Sequence, residues 1–166
     1  MKIAPPTRAR HTYVQKLVAA PAEVFPLLCP VREAEWLDGW DPVAVWSHSG
    51  VAEPDCVFTT PVSGAAGEAP HDAIWYVTRH EPANGFVEMM KITPGVTACR
   101  LTIQLAAVAS GCEAEITYTH TSLGPAGDRF VAGFTAEFYL RFMREWEARM
   151  NHFLATGACL RGEVGG

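Results

Sequence analysis

A row of apolar residues at four-residue spacing runs through the C-terminal part of the chain. Its seven members are Phe130, Phe134, Phe138, Phe142, Trp146, Met150 and Leu154. Because an α-helix completes a turn every 3.6 residues, such a row follows one side of a helix and drifts by about 40° per step. The pattern predicts one long helix over residues 128–154, lying across a broad and twisted apolar surface such as a β-sheet.

The chemistry of this row leaves two interpretations open. Five of its seven side chains are aromatic, and large rings rarely cover a flat surface without gaps. The helix could therefore close a concave sheet over a cavity. Alternatively it belongs to a tightly packed core, which is the commoner cause of an apolar stripe at helical spacing. In either case we expect Phe134, Phe138 and Phe142 to be largely buried.

The middle of the chain carries the alternating pattern of β-strands. At its end, Ala114, Ile116, Tyr118 and His120 share one face, and glutamate and threonine occupy the other. Turns rich in glycine and proline separate several such segments, and the short links favour antiparallel pairing. The predicted strands are residues 10–20, 43–48, 56–60, 73–80, 86–92, 99–108 and 113–121, with a loop at 61–70.

Two short helices are expected between the first two strands. Pro21 suits the first position of a helix at residues 22–25, and a second helix is predicted at 31–36, after Cys29 and Pro30. The element order predicts an α+β fold. In this fold a curved antiparallel sheet of six or seven strands wraps around a long C-terminal helix.

Length and charge narrow the classes of protein. The 166 residues suit one domain, with residues 1–9 and 158–166 expected to be flexible. The net charge is −5 and the only basic cluster is Lys2, Arg8 and Arg10, so we expect no binding to nucleic acid. We expect no membrane span, because no apolar run reaches about 18 residues. The first eleven residues also lack the apolar centre of a secretory signal.

Cysteine and histidine spacing argues against a metal or disulfide framework. The five cysteines form no Cys-x-x-Cys pair, which favours reduced thiols in the cytoplasm and leaves one disulfide open. No two of the six histidines are three or four residues apart, so no helical metal site is expected. The chain also lacks His-Glu-x-x-His, Gly-x-Ser-x-Gly and nucleotide-binding glycine motifs, and we expect no cofactor.

Two segments resemble the START-like or SRPBCC superfamily, whose fold is called helix-grip. Residues 18–25, Val-Ala-Ala-Pro-Ala-Glu-Val-Phe, look like the family's passage from the first strand into the first helix. Residues 138–147 look like its closing helix. The chain looks closest to the bacterial polyketide cyclase/dehydrase and lipid-transport-like group. The resemblance implies a cavity between sheet and helix. It implies no catalytic residue, because the superfamily shares no catalytic motif.

His120 and Tyr118 are the candidate catalytic residues. Strand alternation places both on the apolar face with Ala114 and Ile116, and therefore towards the expected cavity. There an imidazole and a phenol can orient a ligand carbonyl or act as general acid and base. The alternative is a structural histidine near the strand end, bonded to a backbone carbonyl or to water.

Aromatic residues supply the rest of the predicted ligand site. The ligand-binding candidates are Trp36, Trp40, Trp75, Tyr118, His120, Phe130, Phe134, Phe138 and Phe142. Glu33 and Glu35 also fall near the expected cavity mouth. Residues two apart face different sides of a helix, so they do not form a carboxylate pair, and we interpret both as solvated charges.

Three functions remain open at this point. We favour binding or transport of a small hydrophobic or amphipathic molecule over the other two. A cyclase, dehydratase or hydrolase would need at least two convergent polar groups with shifted pKa values in the cavity. A cochaperone-like interaction domain would need an exposed apolar patch and a nearly filled interior. The expected partner is the small ligand, and a homodimer is left open.

Overall fold

The computed structural model describes residues 1, 3, 5–62 and 71–162. Among them, seven strands form one antiparallel sheet in the order β1-β7-β6-β5-β4-β3-β2. The strands are β1 (Arg8–Leu17), β2 (Ala44–Trp46), β3 (Val57–Val62), β4 (His71–Glu81), β5 (Phe86–Thr93), β6 (Thr97–Val108) and β7 (Gly111–Ser122). The predicted α+β helix-grip fold is confirmed. Of the predicted loop at 61–70, residues 61 and 62 end β3 and the remainder lies outside the described residues.

Short helices follow β1, and longer ones end the chain. Helices α1 (Pro21–Val24) and α2 (Pro30–Glu33) each begin with proline, which suits the first helical position. Helix α2 therefore starts and stops earlier than the predicted 31–36. Helices α3 (Pro125–Gly133) and α4 (Ala136–Thr156) follow the last strand. No helix in the described part of the chain is long and apolar enough to cross a membrane.

The prediction of one continuous helix over residues 128–154 is wrong. The backbone of Phe134 leaves the helical region (φ −80°, ψ 65°) after Gly133, which is a poor helix former. Thr135 is extended (φ −79°, ψ 163°), and its hydroxyl accepts a hydrogen bond from the Phe138 backbone N–H at 3.2 Å. Thr135 is therefore the N-cap of a new helix. The helix over the sheet consists of two segments, α3 and α4.

Helix α4 is fixed to the β1 side of the sheet by side-chain hydrogen bonds. Gln15 Nε2 of β1 donates to the Met143 carbonyl at 3.0 Å. Tyr139 Oη donates to the Ile116 carbonyl of β7 at 2.7 Å. Near the helix end, the Asn151 side chain forms two further hydrogen bonds to the backbone at the end of β1 and just beyond it. This edge of the sheet consequently packs closely against α4.

Residues 158–162 follow α4 and form hydrogen bonds in the structure, and the expected flexibility of the tail at 158–166 stays a prediction. The Arg149 guanidinium donates to the carbonyls of Leu160 at 2.7 Å and Gly162 at 2.6 Å. Leu160 also forms an isolated parallel bridge with Leu37. Residues 158–162 therefore run back beside the segment that follows α2.

Helix α3 approaches the β5–β6 turn so closely that only glycine fits at one position. A Cβ atom on Gly127 would lie 1.9 Å from the Val96 carbonyl oxygen and 2.7 Å from Ser122 Oγ. Gly133, at the other end of the same helix, has no atom within 4 Å of its Cβ position. The two glycines form a matched pair for testing how α3 is held.

We predict that Gly127→Ala lowers the free energy of unfolding by about 1–3 kcal/mol, since the backbone must move to relieve the overlap. Gly133→Ala should leave stability unchanged or raise it by up to about 1 kcal/mol, because alanine is the better helix former. Urea denaturation followed by circular dichroism measures both effects. Equal losses at the two positions would contradict the close approach of α3.

Candidate ligand-binding site

A cavity of about 310 Å³ lies between the inner face of the sheet and helices α3 and α4. Its floor consists of apolar side chains from β3 to β6, namely Phe58, Trp75, Met89, Leu101 and Ile103. These residues alternate along their strands with residues of the outer face. The Phe58 and Trp75 rings stack with their centroids 5.2 Å apart. The floor is thus a continuous apolar surface with an aromatic end.

The roof of the cavity comes from the aromatic row. Phe134 is 6% exposed, whereas Phe130 is 43%, Phe138 46% and Phe142 37% exposed, and all four line the cavity. The predicted burial is therefore confirmed for Phe134 and wrong for Phe138 and Phe142. The helix break explains the difference, because it turns Phe134 inwards. Phe130, Phe138 and Phe142 each have one side towards the cavity and one towards solvent, and we call them the rim rings.

The two tryptophans that follow α2 have different places. Trp40 lines the cavity, and its Nε1–H donates to the Pro30 carbonyl at 2.7 Å. Trp36 is fully buried outside the lining, so its assignment as a ligand contact is wrong. Its Nε1–H donates to the Leu27 carbonyl at 3.0 Å, and its ring meets Trp146 edge-on at 4.9 Å. Trp36 therefore packs against α4 through its contact with Trp146.

Tyr118 and His120 both line the cavity, so the facing predicted from strand alternation is confirmed. The His120 ring lies 4.5 Å from Phe134 and 4.8 Å from Phe130, centroid to centroid. Its buried Nδ1 has no hydrogen-bond partner among the described residues. Burial, with a smaller effect of the nearby Lys91 ammonium, lowers the pKa of His120 to about 4. Burial raises the pKa of Tyr118. Their roles in binding or catalysis remain predictions.

Lys91 is a cavity residue that the sequence analysis missed. It shares the inner face of β5 with Val87 and Met89, and its Nζ lies 4.9 Å from the centroid of the Trp75 ring. Burial lowers the pKa of its ammonium group. Strand alternation carried this signal, since Lys91 is two residues from the inward-facing Met89. Lysine is, however, a residue normally found on the outside of proteins.

Lys91 and His120 belong to one row across neighbouring strands. Lys91 pairs with Cys99 between β5 and β6, and Cys99 pairs with His120 between β6 and β7. Neighbouring strands are about 4.8 Å apart, which places the two backbones roughly 10 Å from each other. Burial raises the pKa of the Cys99 thiol between them to about 12, so this group stays neutral. Lys91 and His120 thus give the apolar floor two polar groups that one small molecule can contact.

Glu33 also lines the cavity, at the end of α2. One carboxyl oxygen accepts a hydrogen bond from Trp146 Nε1 at 3.3 Å, and burial raises the pKa of the carboxyl to about 8. The interpretation of Glu33 as a solvated charge is therefore wrong. Glu35 is exposed and pairs with Arg32 at 2.9 Å, as a solvated charge does. The Glu33 carboxyl therefore faces the cavity beneath α4, whereas the Glu35 carboxylate faces solvent.

These pKa shifts define the charge of the cavity at pH 7. Burial holds the Glu33 carboxyl mostly protonated and the His120 imidazole neutral. The Tyr118 phenol is neutral too, and the Lys91 ammonium is the remaining charged group among the lining residues described. The described residues also contain no group of three His, Cys, Asp or Glu side chains that could hold a metal ion. As far as the described lining residues show, the cavity is an apolar chamber with one cation and three neutral polar groups.

Comparison with known proteins gives the fold of the chain. The sequence matches no family model and no curated protein sequence. Among solved structures, Ara h 8.0201 superposes with a TM-score of 0.62 at 10% identity, covering 90% of this chain and 99% of that one. A protein from Rhodobacter sphaeroides gives 0.60 at 19% identity, covering 88% and 92%.

Norcoclaurine synthase from Thalictrum flavum is a third similar structure, in a complex with dopamine and hydroxybenzaldehyde. It superposes with a TM-score of 0.62 at 11% identity, covering 90% of this chain and 88% of that one. Identities at this level show a shared fold alone. The three structures together place the chain among helix-grip folds.

The buried carboxyl of Glu33 makes stability depend on pH. The pKa of a glutamate in an unfolded chain is about 4.3, whereas the pKa of Glu33 in the folded protein is about 8. Its contribution is therefore full below about pH 4 and is lost as the pH rises to about 8. We predict that Glu33→Gln reduces the loss of unfolding free energy between pH 6 and 9 by about 1–3 kcal/mol.

Thermal and urea unfolding of both proteins at several pH values measures this difference. The exposed residue Glu35 provides the matched control, because Glu35→Gln removes a carboxylate outside the cavity. Parallel stability curves for the wild type and Glu33→Gln would show that the Glu33 carboxyl ionises normally.

Proposed function

We propose that the protein binds a small amphipathic molecule in the cavity between the sheet and helices α3 and α4, as a carrier or receptor. The observation that carries this proposal is the cavity itself. Its volume of about 310 Å³ is bounded by an apolar floor, an aromatic roof and four polar side chains. Concave, mostly apolar walls with a few placed polar groups are typical of small-molecule sites, which occupy about 300–1,000 Å³.

The walls favour a guest that contains an aromatic ring. Trp75 and Phe58 offer a stacked pair at one end of the floor, and the rim rings offer further aromatic faces. Offset and edge-on contacts between rings add to the gain from burial. The similar structure of norcoclaurine synthase holds two small aromatic molecules, dopamine and hydroxybenzaldehyde. That neighbour supports the size and chemistry of the proposed guest.

An enzyme of the cyclase, dehydratase or hydrolase type is the second candidate, acting on an apolar substrate in the same cavity. The convergence of Glu33, Lys91, Tyr118 and His120, all with shifted pKa values, favours it. It would place the chain in the polyketide cyclase/dehydrase and lipid-transport-like group. Incubation of the protein with a candidate guest, followed by liquid chromatography and mass spectrometry of the released small molecule, separates the two candidates. A carrier returns its guest at unchanged mass and retention time, a dehydratase or hydrolase releases a product of different mass, and a cyclase releases a product with a different retention time.

Two further observations bear on the cellular compartment and on the third candidate function. All five cysteines are free thiols in the structure, which supports a reducing compartment, and we propose the cytoplasm. The unfilled interior argues against a cochaperone-like interaction domain, which would need a nearly filled core.

We predict that the neutral fluorescent probe N-phenyl-1-naphthylamine binds with one-to-one stoichiometry. The probe gains fluorescence in apolar surroundings, so titration measures its affinity directly. Leu101→Trp should weaken binding at least about tenfold, because a larger side chain on the floor occupies the space of the guest. Arg100→Trp is the matched control, since Arg100 lies on the outer face of the same strand.

Circular dichroism and thermal unfolding of both variants establish that they are folded. Saturable binding that is lost in Leu101→Trp and kept in Arg100→Trp supports the cavity as the site. Equal binding by both variants, or no saturable binding by the wild type, would overturn the proposed function.

A further inference from the structure

The Lys91 ammonium is the charged group of the cavity that lacks a counter-ion. Among the described residues no carboxylate forms an ion pair with it. Glu33 lines the same cavity but is hydrogen-bonded to Trp146 instead. The contact of Lys91 that the structure shows is with the face of the Trp75 ring, at 4.9 Å. A cation over an aromatic face is attracted to it, but the ring cannot neutralise the charge.

His120 adds a second incomplete polar group on the same floor. It is 5% exposed, and its Nδ1 is buried without a hydrogen-bond partner among the described residues. The strand register joins it to Lys91 through Cys99, with all three on the inner face. A buried polar atom is normally paired. A guest that lies between Lys91 and His120 can supply the missing counter-ion to the ammonium and contact the imidazole ring, which lines the same cavity.

We propose that the guest is a small aromatic monoanion whose carboxylate lies between Lys91 and His120 and whose ring lies against Trp75 and the aromatic roof. This inference rests on the proposed function and names the class of ligand. A carboxylate neutralises the ammonium and accepts a charge-assisted hydrogen bond from it. In the neutral imidazole one nitrogen carries a proton, so His120 can donate to the second carboxylate oxygen.

A single negative charge fits this site better than a phosphate group. One lysine supplies one positive charge, and the lining groups His120 and Tyr118 are neutral at pH 7. A second negative charge would remain unpaired in apolar surroundings, which is costly. The aromatic side chains beside the ammonium explain why the anion should carry a ring. Trp75 contacts Lys91, and Phe130 and Phe134 contact His120.

The test compares two guests of nearly equal shape, 2-naphthoate and the neutral 2-naphthamide, at pH 7. Each is titrated against bound N-phenyl-1-naphthylamine, and displacement of the probe gives its affinity. We expect the wild type to bind naphthoate at least about tenfold more tightly than naphthamide, because only the carboxylate pairs with the ammonium. This ratio needs no variant and is unaffected by any folding defect.

Variants at position 91 assign the preference to its side chain. Lys91→Met keeps an unbranched chain without the charge, and should weaken naphthoate at least about tenfold while changing naphthamide less than about threefold. Lys91→Arg should keep the preference for the carboxylate. Lys16→Met is the control for net charge, since Lys16 is an exposed lysine of β1, and it should change neither affinity.

The outcomes separate this inference from the function on which it rests. Equal affinity of the wild type for the two guests overturns the anion site, even where the probe binds. A preference for naphthoate that survives in Lys91→Met overturns it as well. Absence of any saturable probe binding to the wild type overturns the cavity function, and the anion site with it.

Discussion

The attachment of α4 to one edge of the sheet is the constraint on which the cavity depends. Tyr139 donates to the carbonyl of Ile116, and Gln15 donates to the carbonyl of Met143. Each buried hydrogen bond contributes only about 1 kcal/mol net, but leaving its donor unpaired costs more. These bonds therefore fix the distance of the helix from β1 and β7. Because the sheet continues from there through β6 to β2, the same helix cannot close on its far side, and space remains above β3 to β6.

The break between α3 and α4 completes the roof above this space. A straight helix would carry the aromatic row past the cavity at a fixed spacing. The break instead turns the Phe134 ring inwards, and its carbonyl accepts a hydrogen bond from His11 Nε2 at 2.9 Å. The close approach of Gly127 to the Val96 carbonyl fixes the other end of α3. Helix α3 is thereby tied to β1 and to the β5–β6 turn, and Phe130 is placed over His120.

The parts of this structure that could be predicted from sequence are those that depend on neighbouring residues. Strand alternation correctly oriented Tyr118 and His120, since the facing of a side chain follows from its position along the strand. The helix break was missed although Gly133 and Thr135 carry a local signal for it, because the aromatic row continues across them. The places of Glu33 and Trp36 depend on where a four-residue helix lies relative to α4. That is a tertiary relation, which no local pattern contains.

The pKa shifts in the cavity share one physical cause, and this cause connects the fold to its chemistry. Apolar walls disfavour every charge, so they raise the pKa of Glu33 and lower the pKa values of His120 and Lys91. Two of these groups respond by becoming neutral near pH 7, whereas an amine begins from a much higher pKa and retains its proton. The ammonium of Lys91 therefore stays charged among apolar walls that disfavour charge. In such surroundings a complementary charge interacts more strongly than it would in water. In the proposed function, the same walls that bind an aromatic ring by burial thus give the Lys91 cation its selectivity for an anion.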